Sequence, residues 1–567
     1  MPRFTLRTAL SAVLLASLTL ASISHQRLAH AQKTDVPDAI QARFDLAIAP
    51  HIVAGEPGGT IIVMRDGKAI YRRAFGLADV ANKVAIKPDD VFRIGSITKQ
   101  FTAVAILMLA EQGKLSLSDD ITKHLTDYPT PPKKITIAQL LTHTSGIPSY
   151  TGLPTFSGPS MEKDLSTKQI VDQFKSLPLE FDPGTQWRYN NSGYFLLGVI
   201  IENTSGMTYA QYLAKHIFVP LNMRDTAYEG SERNGKKRID GYALRDGKTV
   251  IDRTISMTQP YAAGSLISTV DDLAIWDAAI TAGKLLNAET WKQAFTNSTL
   301  SNGNKTGYGH GWQISQLRGE PTITHGGGIP GFKSYAISVP AKKTYVAVLS
   351  NTTAGQGIPT YIAEKVAAIA IDNPFPEFVA VPLTDKQLDK HIGVYTINET
   401  ITRTISREGN QLFSQRSDGR QFALTPSSPN TFFVQDSFIS IKFEVDPNGE
   451  TTHLITTQSS GEDRNARISK TLPVPPATFK LSAAAFDVYV GKYALSPEFI
   501  ITVTREGERF YAQATGQGKN EIFAETENRF SLKVVNAKLQ FDKSADGKVA
   551  QLILFQGGRE TPGKRLP

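Results

Sequence analysis

Apolar residues recur every three or four positions between Ile97 and Gly113, which is the spacing of one face of an α-helix. We therefore predict a helix over 97–112. Gly95 supplies a tight turn before this helix, and Ser96 occupies the position expected for its N-terminal cap. The same spacing predicts two later helices, over 194–203 and 270–281.

Strand-like runs lie at the two ends of the region from 37 to 375. An apolar run over 59–64, an Asp-Gly turn and a second run over 69–71 together predict a β-hairpin. Two further runs, over 335–339 and 344–349, predict strands near the end of the region. Because strands precede and follow a helical middle, we predict an α+β layer domain in which the two ends share one sheet.

The tail of the chain repeats itself at a constant offset of 98 residues. Residues 392–395 (Ile-Gly-Val-Tyr) correspond to 490–493 (Val-Gly-Lys-Tyr), and Phe443 corresponds to Phe541. Each copy consists of short alternating strands separated by glycine-containing turns, which predicts an antiparallel sheet that closes into a small barrel. The two predicted repeat domains cover residues 383–472 and 481–567.

Residues 1–31 have the pattern of a cleaved export signal. Basic residues precede an uncharged apolar run, and Ala29-His30-Ala31 is a small-x-small cleavage site. The apolar run is too short to span a bilayer, and no later stretch has transmembrane length. We therefore predict a secreted or periplasmic protein without a transmembrane segment after signal removal.

Charge and composition exclude several classes of function. Loss of Arg3, Arg7 and Arg27 with the signal lowers the net charge from +8 to +5, and the remaining basic residues are spread along the chain. This pattern favours mild attraction to an anionic cell envelope and argues against nucleic-acid binding. The chain has no cysteine and no histidine spacing typical of a metal site, so we expect no disulfide, metal or cofactor.

Ser96 and Lys99 form the first candidate for catalysis. Residues three apart in a helix share a face, so the Lys99 amine is expected close to the Ser96 hydroxyl. A serine nucleophile beside an amine base, at the positive end of a helix, suits acyl transfer. The Ser-x-x-Lys pattern occurs again at Ser160 and Lys163, but no apolar helix follows directly, and we interpret that copy as chance.

Two later motifs add polar groups and a flexible backbone. Tyr189 and Asn191 lie two apart in a predicted loop, where the phenol would transfer a proton and the amide would hold a substrate carbonyl or orient the lysine. The glycines after His325 allow the backbone of an edge strand to approach a ligand, and one of its N–H groups with that of Ser96 would form an oxyanion hole. His143 is expected to structure its loop rather than to catalyse.

In order and context, these motifs resemble the serine β-lactamase and penicillin-binding protein superfamily, in its class C-like branch. The resemblance rests on Ser96-x-x-Lys99, Tyr189-x-Asn191 and His325-x-Gly327, and it covers roughly residues 40–370. It implies a catalytic domain in which an antiparallel sheet is flanked by helices. The repeats resemble the lipocalin-like C-terminal modules of some of these hydrolases, and we expect them to be packing modules.

The resemblance also implies roles for the site residues. Ser96 would be the acyl-forming nucleophile, Lys99 its proton acceptor and Tyr189 a partner base and proton shuttle. Asn191 would contact the substrate amide or the lysine, and His325 and Gly327 would line the site. The backbone N–H groups of Ser96 and Gly328 would form the oxyanion hole. The sequence leaves open whether Lys99 or Tyr189 accepts the first proton.

One departure from the family pattern affects the expected substrate. Many members carry Lys-Thr-Gly or Lys-Ser-Gly where this chain has His325-Gly326-Gly327. A histidine is largely neutral near pH 7 and Gly326 has no side-chain donor, so binding of a β-lactam or peptide carboxylate is disfavoured. Similar His-x-Gly variants occur among the family's esterases, D-amino-acid peptidases and some carboxypeptidase-like members.

The sequence therefore predicts an exported serine hydrolase that acts through an acyl-Ser96 intermediate on peptide, amide or ester carbonyls. Candidate substrates include D-amino-acid cell-wall peptides derived from peptidoglycan, as for a D-Ala-D-Ala carboxypeptidase or a D-aminopeptidase. A broad carboxylesterase with weak or no β-lactamase activity is the first alternative, and a non-catalytic envelope-binding protein is the second. The sequence does not choose the substrate, the oligomeric state or the function of the two repeats.

Overall fold

The computed structural model describes residues 38–566, apart from 130–132, 154, 233–234, 246, 253–254, 355–357, 418, 420, 459–460, 473–478, 497–498, 516–517, 533–536, 545–546 and 557–558. The predicted export signal, residues 1–31, lies outside these residues. Among the helices that are described, none combines the length and the hydrophobicity needed to cross a membrane.

The catalytic domain is built on a six-stranded antiparallel sheet in the order β10-β11-β12-β13-β1-β2. The first strand pairs with the last one of the domain, from Gly59 opposite Ser350 to Arg65 opposite Thr344. The prediction that the two ends of the domain share one sheet is therefore confirmed. The strands are β1 (Gly59–Arg65), β2 (Lys68–Phe75), β10 (Gln313–Leu317), β11 (Glu320–Ile329), β12 (Phe332–Val339) and β13 (Thr344–Ser350).

Short strands between β2 and β10 form three small sheets. Two of these are hairpin-like pairs, β3 with β4 and β7 with β8, and the third has the order β5-β9-β6. The strands are β3 (Leu77–Asp79), β4 (Val84–Ala85), β5 (Phe92–Arg93), β6 (Ala227–Tyr228), β7 (Tyr242–Arg245), β8 (Lys248–Ile251) and β9 (Leu266–Ser268).

Helices cover both faces of the central sheet because its strands alternate in side-chain direction. Ile62 packs into the larger core beneath the helical middle, whereas Ile61 and Val63 pack into a second core against the first and last helices of the domain. The helices are α1 (Asp38–Ile48), α2 (Thr98–Glu111), α3 (Ile137–Leu141), α4 (Thr167–Asp172), α5 (Asn191–Ser205), α6 (Tyr209–Leu213), α7 (Val270–Thr281), α8 (Ala288–Ala294) and α9 (Ile358–Ala370).

Two closed eight-stranded antiparallel barrels follow the catalytic domain, as the repeat predicted. A short helix, α10 (Asp385–Asp389) or α11 (Ala483–Phe486), precedes each of them. Barrel 1 contains β14 (Gly393–Thr396), β15 (Thr402–Glu408), β16 (Gln411–Arg416), β17 (Gln421–Ser428), β18 (Thr431–Phe433), β19 (Ser440–Val445), β20 (Thr451–Gln458) and β21 (Gly461–Ser469). Barrel 2 contains β22 (Gly491–Ser496), β23 (Phe499–Glu506), β24 (Arg509–Ala514), β25 (Asn520–Ala524), β26 (Arg529–Leu532), β27 (Ala537–Lys543), β28 (Val549–Gln556) and β29 (Arg559–Arg565).

Each barrel closes by pairing of its first and last strands, and an arginine on the last strand makes equivalent hydrogen bonds in both. In barrel 1, Arg467 donates hydrogen bonds to the carbonyl oxygens of Lys390 and Thr451. In barrel 2, Arg565, 98 residues later, donates to the corresponding carbonyl oxygens. A Cβ atom at Gly393 would lie 2.9 Å from the Arg467 Nε atom, so the glycine leaves room for this arginine. Aromatic and aliphatic side chains fill both barrels.

Candidate active site

Ser96 lies in a single 3₁₀ turn, Gly95–Ile97, directly before α2. The prediction that Ser96 caps the helix is wrong, because α2 begins at Thr98 and no side chain caps its first turn. The 3₁₀ turn lies where a capping residue was expected, and the Ser96 hydroxyl makes no capping hydrogen bond. Gly95 has a φ of 51°, and a Cβ atom there would lie 2.9 Å from the Gly328 nitrogen, so both conformation and close approach require glycine.

The Lys99 side chain is fully buried and reaches three oxygen atoms. Its Nζ atom lies 3.1 Å from Ser96 Oγ, 2.8 Å from Asn191 Oδ1 and 2.8 Å from the Ala263 carbonyl oxygen. Burial lowers the pKa of this amine well below the ordinary lysine value. A neutral amine has two N–H groups, which the amide and carbonyl oxygens accept, and one lone pair, which is left for the Ser96 hydroxyl.

Asn191 is oriented by a residue that the sequence motifs did not include. Its Nδ2 atom donates to Thr151 Oγ1 at 2.9 Å, and its backbone N–H donates to Ser149 Oγ at 3.2 Å. The bond to Thr151 fixes the amide so that Oδ1 faces Lys99. Of the two contacts expected for Asn191, the structure therefore contains the one to the lysine.

Tyr189 lies over the buried amine, with its ring centroid 4.8 Å from Lys99 Nζ. Its hydroxyl makes no hydrogen bond of normal geometry within the described part of the chain. Burial raises the pKa of this phenol strongly, and the neighbouring Ser96 hydroxyl opposes part of the rise. Tyr189 is consequently protonated at neutral pH, so of the two candidate bases Lys99 is the one for which burial favours the unprotonated, basic form.

His143 holds the loop that carries Tyr189 from three directions. Its carbonyl oxygen accepts the Arg188 N–H, and its Nδ1 atom accepts the Asn190 N–H at 3.1 Å. Its ring centroid lies 4.4 Å from that of Tyr189. His143 adopts a φ of 59°, a left-handed conformation that is uncommon outside glycine. The structure therefore gives His143 the loop-structuring position that we expected.

His325 lies in the same cluster but is only 2% exposed. Its Nδ1 atom lies 2.7 Å from the Gly326 carbonyl oxygen and is therefore the protonated nitrogen. Its Nε2 atom accepts a hydrogen bond from the Tyr308 hydroxyl at 2.8 Å. Burial, and secondly the nearby Lys99, lower the pKa of His325 to about 3. The imidazole is thus neutral at pH 7, and both its nitrogens are engaged within the protein.

The glycines after His325 lie against the Ser96 turn. The sequence predicted an edge strand, but β10 is the edge, pairing with β11 from Glu320 to Thr324 only. The Gly327–Gly328 part of β11 extends beyond β10 and meets the turn directly. A Cβ atom at Gly327 would lie 2.1 Å from the Ile94 carbonyl oxygen, whereas Gly328 is exposed and open. This part of β11 therefore brings the Gly328 backbone nitrogen close to Gly95, the residue directly before Ser96.

Sequence reasoning missed Thr151 and Tyr308. Tyr308 lies in the stretch Tyr-Gly-His-Gly-Trp (308–312), away from the three catalytic motifs, and Thr151 gives no signal because it is one of several hydroxyl residues in a loop. The second Ser-x-x-Lys copy has no catalytic surroundings, since Ser160 Oγ bonds the carbonyl oxygens of Thr155 and Ser157. Among the described residues, no group of three histidine or acidic side chains is placed to hold a metal ion.

Comparison with known families agrees with this geometry. A family model described as Beta-lactamase matches residues 45–370, which is more than half of the chain. The chain belongs to the beta-lactamase family. Each barrel of this family member matches a second model, Domain of unknown function (DUF3471), over residues 379–469 and 476–565.

Similar proteins place this beta-lactamase-family chain among serine hydrolases. Penicillin-binding protein 4* of Bacillus subtilis (strain 168) is 28% identical over 429 residues, covering 71% of this chain and 94% of the relative. The octameric penicillin-binding protein homologue from Pyrococcus abyssi has a TM-score of 0.54 at 27% identity, covering 77% of this chain and 99% of the other. D-amino acid amidase from Ochrobactrum anthropi SV3, solved with L-phenylalanine, has a TM-score of 0.50 at 25% identity, covering 59% of this chain and 96% of the other. This chain is a serine hydrolase.

Proposed function

We propose that this protein is an exported serine hydrolase that cleaves amide or peptide bonds of D-amino-acid derivatives through an acyl-Ser96 intermediate. The observation that carries the proposal is the buried Lys99 amine, which bonds Ser96 Oγ while its two other partners accept hydrogen bonds. Similarity to penicillin-binding proteins and a D-amino acid amidase supports the amide class of substrate.

Acylation in this proposal begins at the Ser96 hydroxyl. As Oγ bonds to the substrate carbonyl carbon, its proton passes to the lone pair of Lys99 Nζ. The backbone N–H groups of Ser96 and Gly328 stabilise the negative oxygen of the tetrahedral intermediate. The protonated phenol of Tyr189 then donates a proton to the leaving amine and recovers one from Lys99. In the second half of the reaction, water attacks the acyl group and Ser96 regains its proton.

The neutral His325 favours an amidase or aminopeptidase over a carboxypeptidase. A D-Ala-D-Ala carboxypeptidase or a β-lactamase must bind a substrate carboxylate, and a charged donor is the strongest group for that task. At the position of the family lysine, this chain has an imidazole whose pKa burial lowers to about 3. An amino-acid amide has no carboxylate, so it would not require a cation there.

A carboxylesterase is the second candidate, and the same neutral site favours it, since simple esters also lack a carboxylate. Export rests on the signal-like residues 1–31, and a peptidoglycan-derived peptide would be the substrate accessible outside the cytoplasm. The complete set of bonds around Lys99 argues against a non-catalytic envelope-binding protein, because such a protein would not need a desolvated base beside a serine.

Substrate panels on the wild-type protein and Ser96→Ala test the proposal. We expect hydrolysis of D-phenylalanine amide to exceed that of its L-enantiomer, with little nitrocefin turnover. Ser96→Ala should lower turnover by about 10³-fold or more while the melting temperature is kept, because a part-exposed hydroxyl contributes little to stability.

The outcomes separate the candidates. Turnover of p-nitrophenyl acetate without any amide turnover would replace the amidase by the esterase. A stable benzylpenicillin adduct in the intact mass, absent from Ser96→Ala, would favour the carboxypeptidase. Unchanged hydrolysis in Ser96→Ala would overturn the assignment of the nucleophile.

A further inference from the structure

A cavity of about 530 Å³ lies between the catalytic domain and barrel 1, away from Ser96. One wall is formed by α1 and α9, which cover the face of the central sheet opposite α2. The other wall is the loop between β18 and β19 of barrel 1, and the linker after α9 closes one side. A volume of this size falls within the usual range for small-ligand sites, which often form at domain interfaces.

Stacked aromatic rings form the apolar part of this interdomain cavity. Phe438 of barrel 1 inserts between two rings of the preceding region, with centroids 4.7 Å from Tyr361 and 3.9 Å from Phe375. The guanidinium carbon of Arg318 lies 5.3 Å from the Phe375 centroid, and Lys365 Nζ lies 5.7 Å from the Tyr361 centroid. The stack therefore has a cation at each end.

Charges of both signs line the cavity without pairing with each other. Lys365 and Arg318 come from the catalytic domain, whereas Glu377 and Asp436 come from the linker and barrel 1. None of the four forms an ion pair with another described residue, and the Arg318 Nε atom is buried without a hydrogen-bond partner. Burial lowers the pKa of His51, which also lines the cavity. Asp436 raises this pKa and Lys365 lowers it further, so both charges act on the same part of the cavity.

We propose that the interdomain cavity binds a short zwitterionic peptide with a bulky apolar side chain. Lys365, which with Asp436 acts on His51, binds its carboxylate, Asp436 binds its ammonium group, and the stacked rings contact its side chain. A purely anionic ligand would face the two carboxylates, and a purely cationic one would face the lysine and the arginine. Because the peptide contacts both domains, its binding stabilises the docking of barrel 1.

Calorimetric titration of the full chain carrying Ser96→Ala tests this site without turnover. The probes are L-phenylalanyl-L-alanine, its N-acetyl derivative and its C-terminal amide. We expect saturable binding of the free dipeptide, a higher melting temperature in its presence, and at least tenfold weaker binding of each blocked form. Lys365→Ala and Asp436→Asn should each weaken binding at least fivefold. The matched controls Lys292→Ala and Asp463→Asn change exposed residues outside the cavity and should have no effect.

Three results would overturn the site. These are no saturable binding of the dipeptide, equal binding of the free and blocked forms, or unchanged affinity in both cavity variants. If affinity is lost in Trp187→Ala, at the rim of the catalytic cluster, but kept in Lys365→Ala, the dipeptide binds in the active site and the proposal fails. The hydrolytic proposal is tested by turnover of the wild-type protein, so failure of one does not imply failure of the other.

Discussion

At the scale of single residues, the protonation state of Lys99 decides whether the site works at neutral pH. An ordinary lysine has a pKa of about 10.4 and is a base only in alkaline solution. Lys99 is fully buried, and its pKa is lowered by desolvation. Its contacts with Ser96 Oγ, Asn191 Oδ1 and the Ala263 carbonyl oxygen suit a neutral amine. The fold therefore supplies the base.

The pH dependence of hydrolysis follows from this shift. Acidification protonates Lys99 as the pH falls through its lowered pKa, so kcat/KM should fall on the acidic side. The fall should begin at a pH well below the value of about 10.4 at which an ordinary lysine titrates. A pH–rate profile with an ester substrate measures this fall. The kcat/KM of Lys99→Arg should be about 10³-fold lower than that of the wild type, because arginine stays protonated. A profile that keeps rising up to about pH 10.4, as for an ordinary lysine, would contradict a lowered lysine pKa.

His143 is the residue whose removal should separate positioning from binding. His143→Ala removes the acceptor for the Asn190 N–H and the ring that packs on Tyr189. We expect kcat to fall about 10- to 100-fold with little change in KM, because a displaced proton donor affects the transition state more than substrate binding.

His143→Asn is the matched control for that prediction. Asparagine tolerates the left-handed φ of 59° and offers a side-chain oxygen in place of Nδ1. It should therefore recover part of the lost kcat. Equal losses in the alanine and asparagine variants would argue against the backbone hydrogen bond as the cause.

At the scale of elements, the two barrels show how one framework accommodates different buried groups. In barrel 1, His391 bonds Thr451 Oγ1 and the Pro429 carbonyl oxygen. At the corresponding positions, 98 residues later, barrel 2 has Tyr489 and Val549. A buried polar pair in one barrel is thus replaced by a ring and an aliphatic side chain in the other.

This difference predicts a pH dependence of stability that belongs to barrel 1. Burial lowers the pKa of His391 to about 4, whereas an unfolded histidine has a value of about 6.5. Between these values the unfolded state binds more protons, so the free energy of unfolding should decrease as the pH falls from 6.5 to 4, by about 3 kcal/mol at most. Scanning calorimetry across this pH range measures the effect.

The double variant His391→Tyr/Thr451→Val transfers the barrel 2 residues to barrel 1. It should remove this part of the pH dependence, because neither new side chain titrates between pH 4 and 6.5. If the wild-type and double-variant profiles are parallel over this range, His391 does not carry the effect.

At the scale of the whole molecule, barrel 1 lies against α1 and α9, the helices that cover the face of the central sheet opposite α2. The Phe438 ring between Tyr361 and Phe375 joins the two domains, and the groups named around Ser96 all come from residues 93–328. The residues that hold barrel 1 on the catalytic domain and the residues around Ser96 therefore come from separate parts of the chain.

Replacing Phe438 should affect docking without affecting chemistry. The second repeat has Asn536 at the corresponding position, so Phe438→Asn is a natural exchange. We expect faster hydrogen exchange in α9 peptides because the Tyr361 ring loses its cover, while turnover of a small ester stays within about twofold. Protected α9 peptides in the variant, or a large loss of ester turnover, would contradict the separation of docking from chemistry.

Features that are local or periodic could be predicted from the sequence alone. The Ser96-x-x-Lys99 pair, the hairpin at Asp66-Gly67 and the offset of 98 residues depend on spacing along the chain, and spacing can be read directly. The helix predicted over 97–112 is observed as α2 (Thr98–Glu111), with its ends shifted by one residue. The shared sheet was predictable because strand runs precede and follow a helical middle, an order typical of an α+β layer domain.

The environment of those residues depends on tertiary packing and could not be predicted from spacing along the chain. The desolvation of Lys99, the hydrogen bond from Asn191 to Thr151 and that from Tyr308 to His325 depend on segments that are distant or unpatterned in sequence. The same holds for the Phe438 stack between barrel 1 and the catalytic domain. Desolvation and long-range hydrogen bonds depend on which surfaces meet in three dimensions, and no spacing rule encodes that packing.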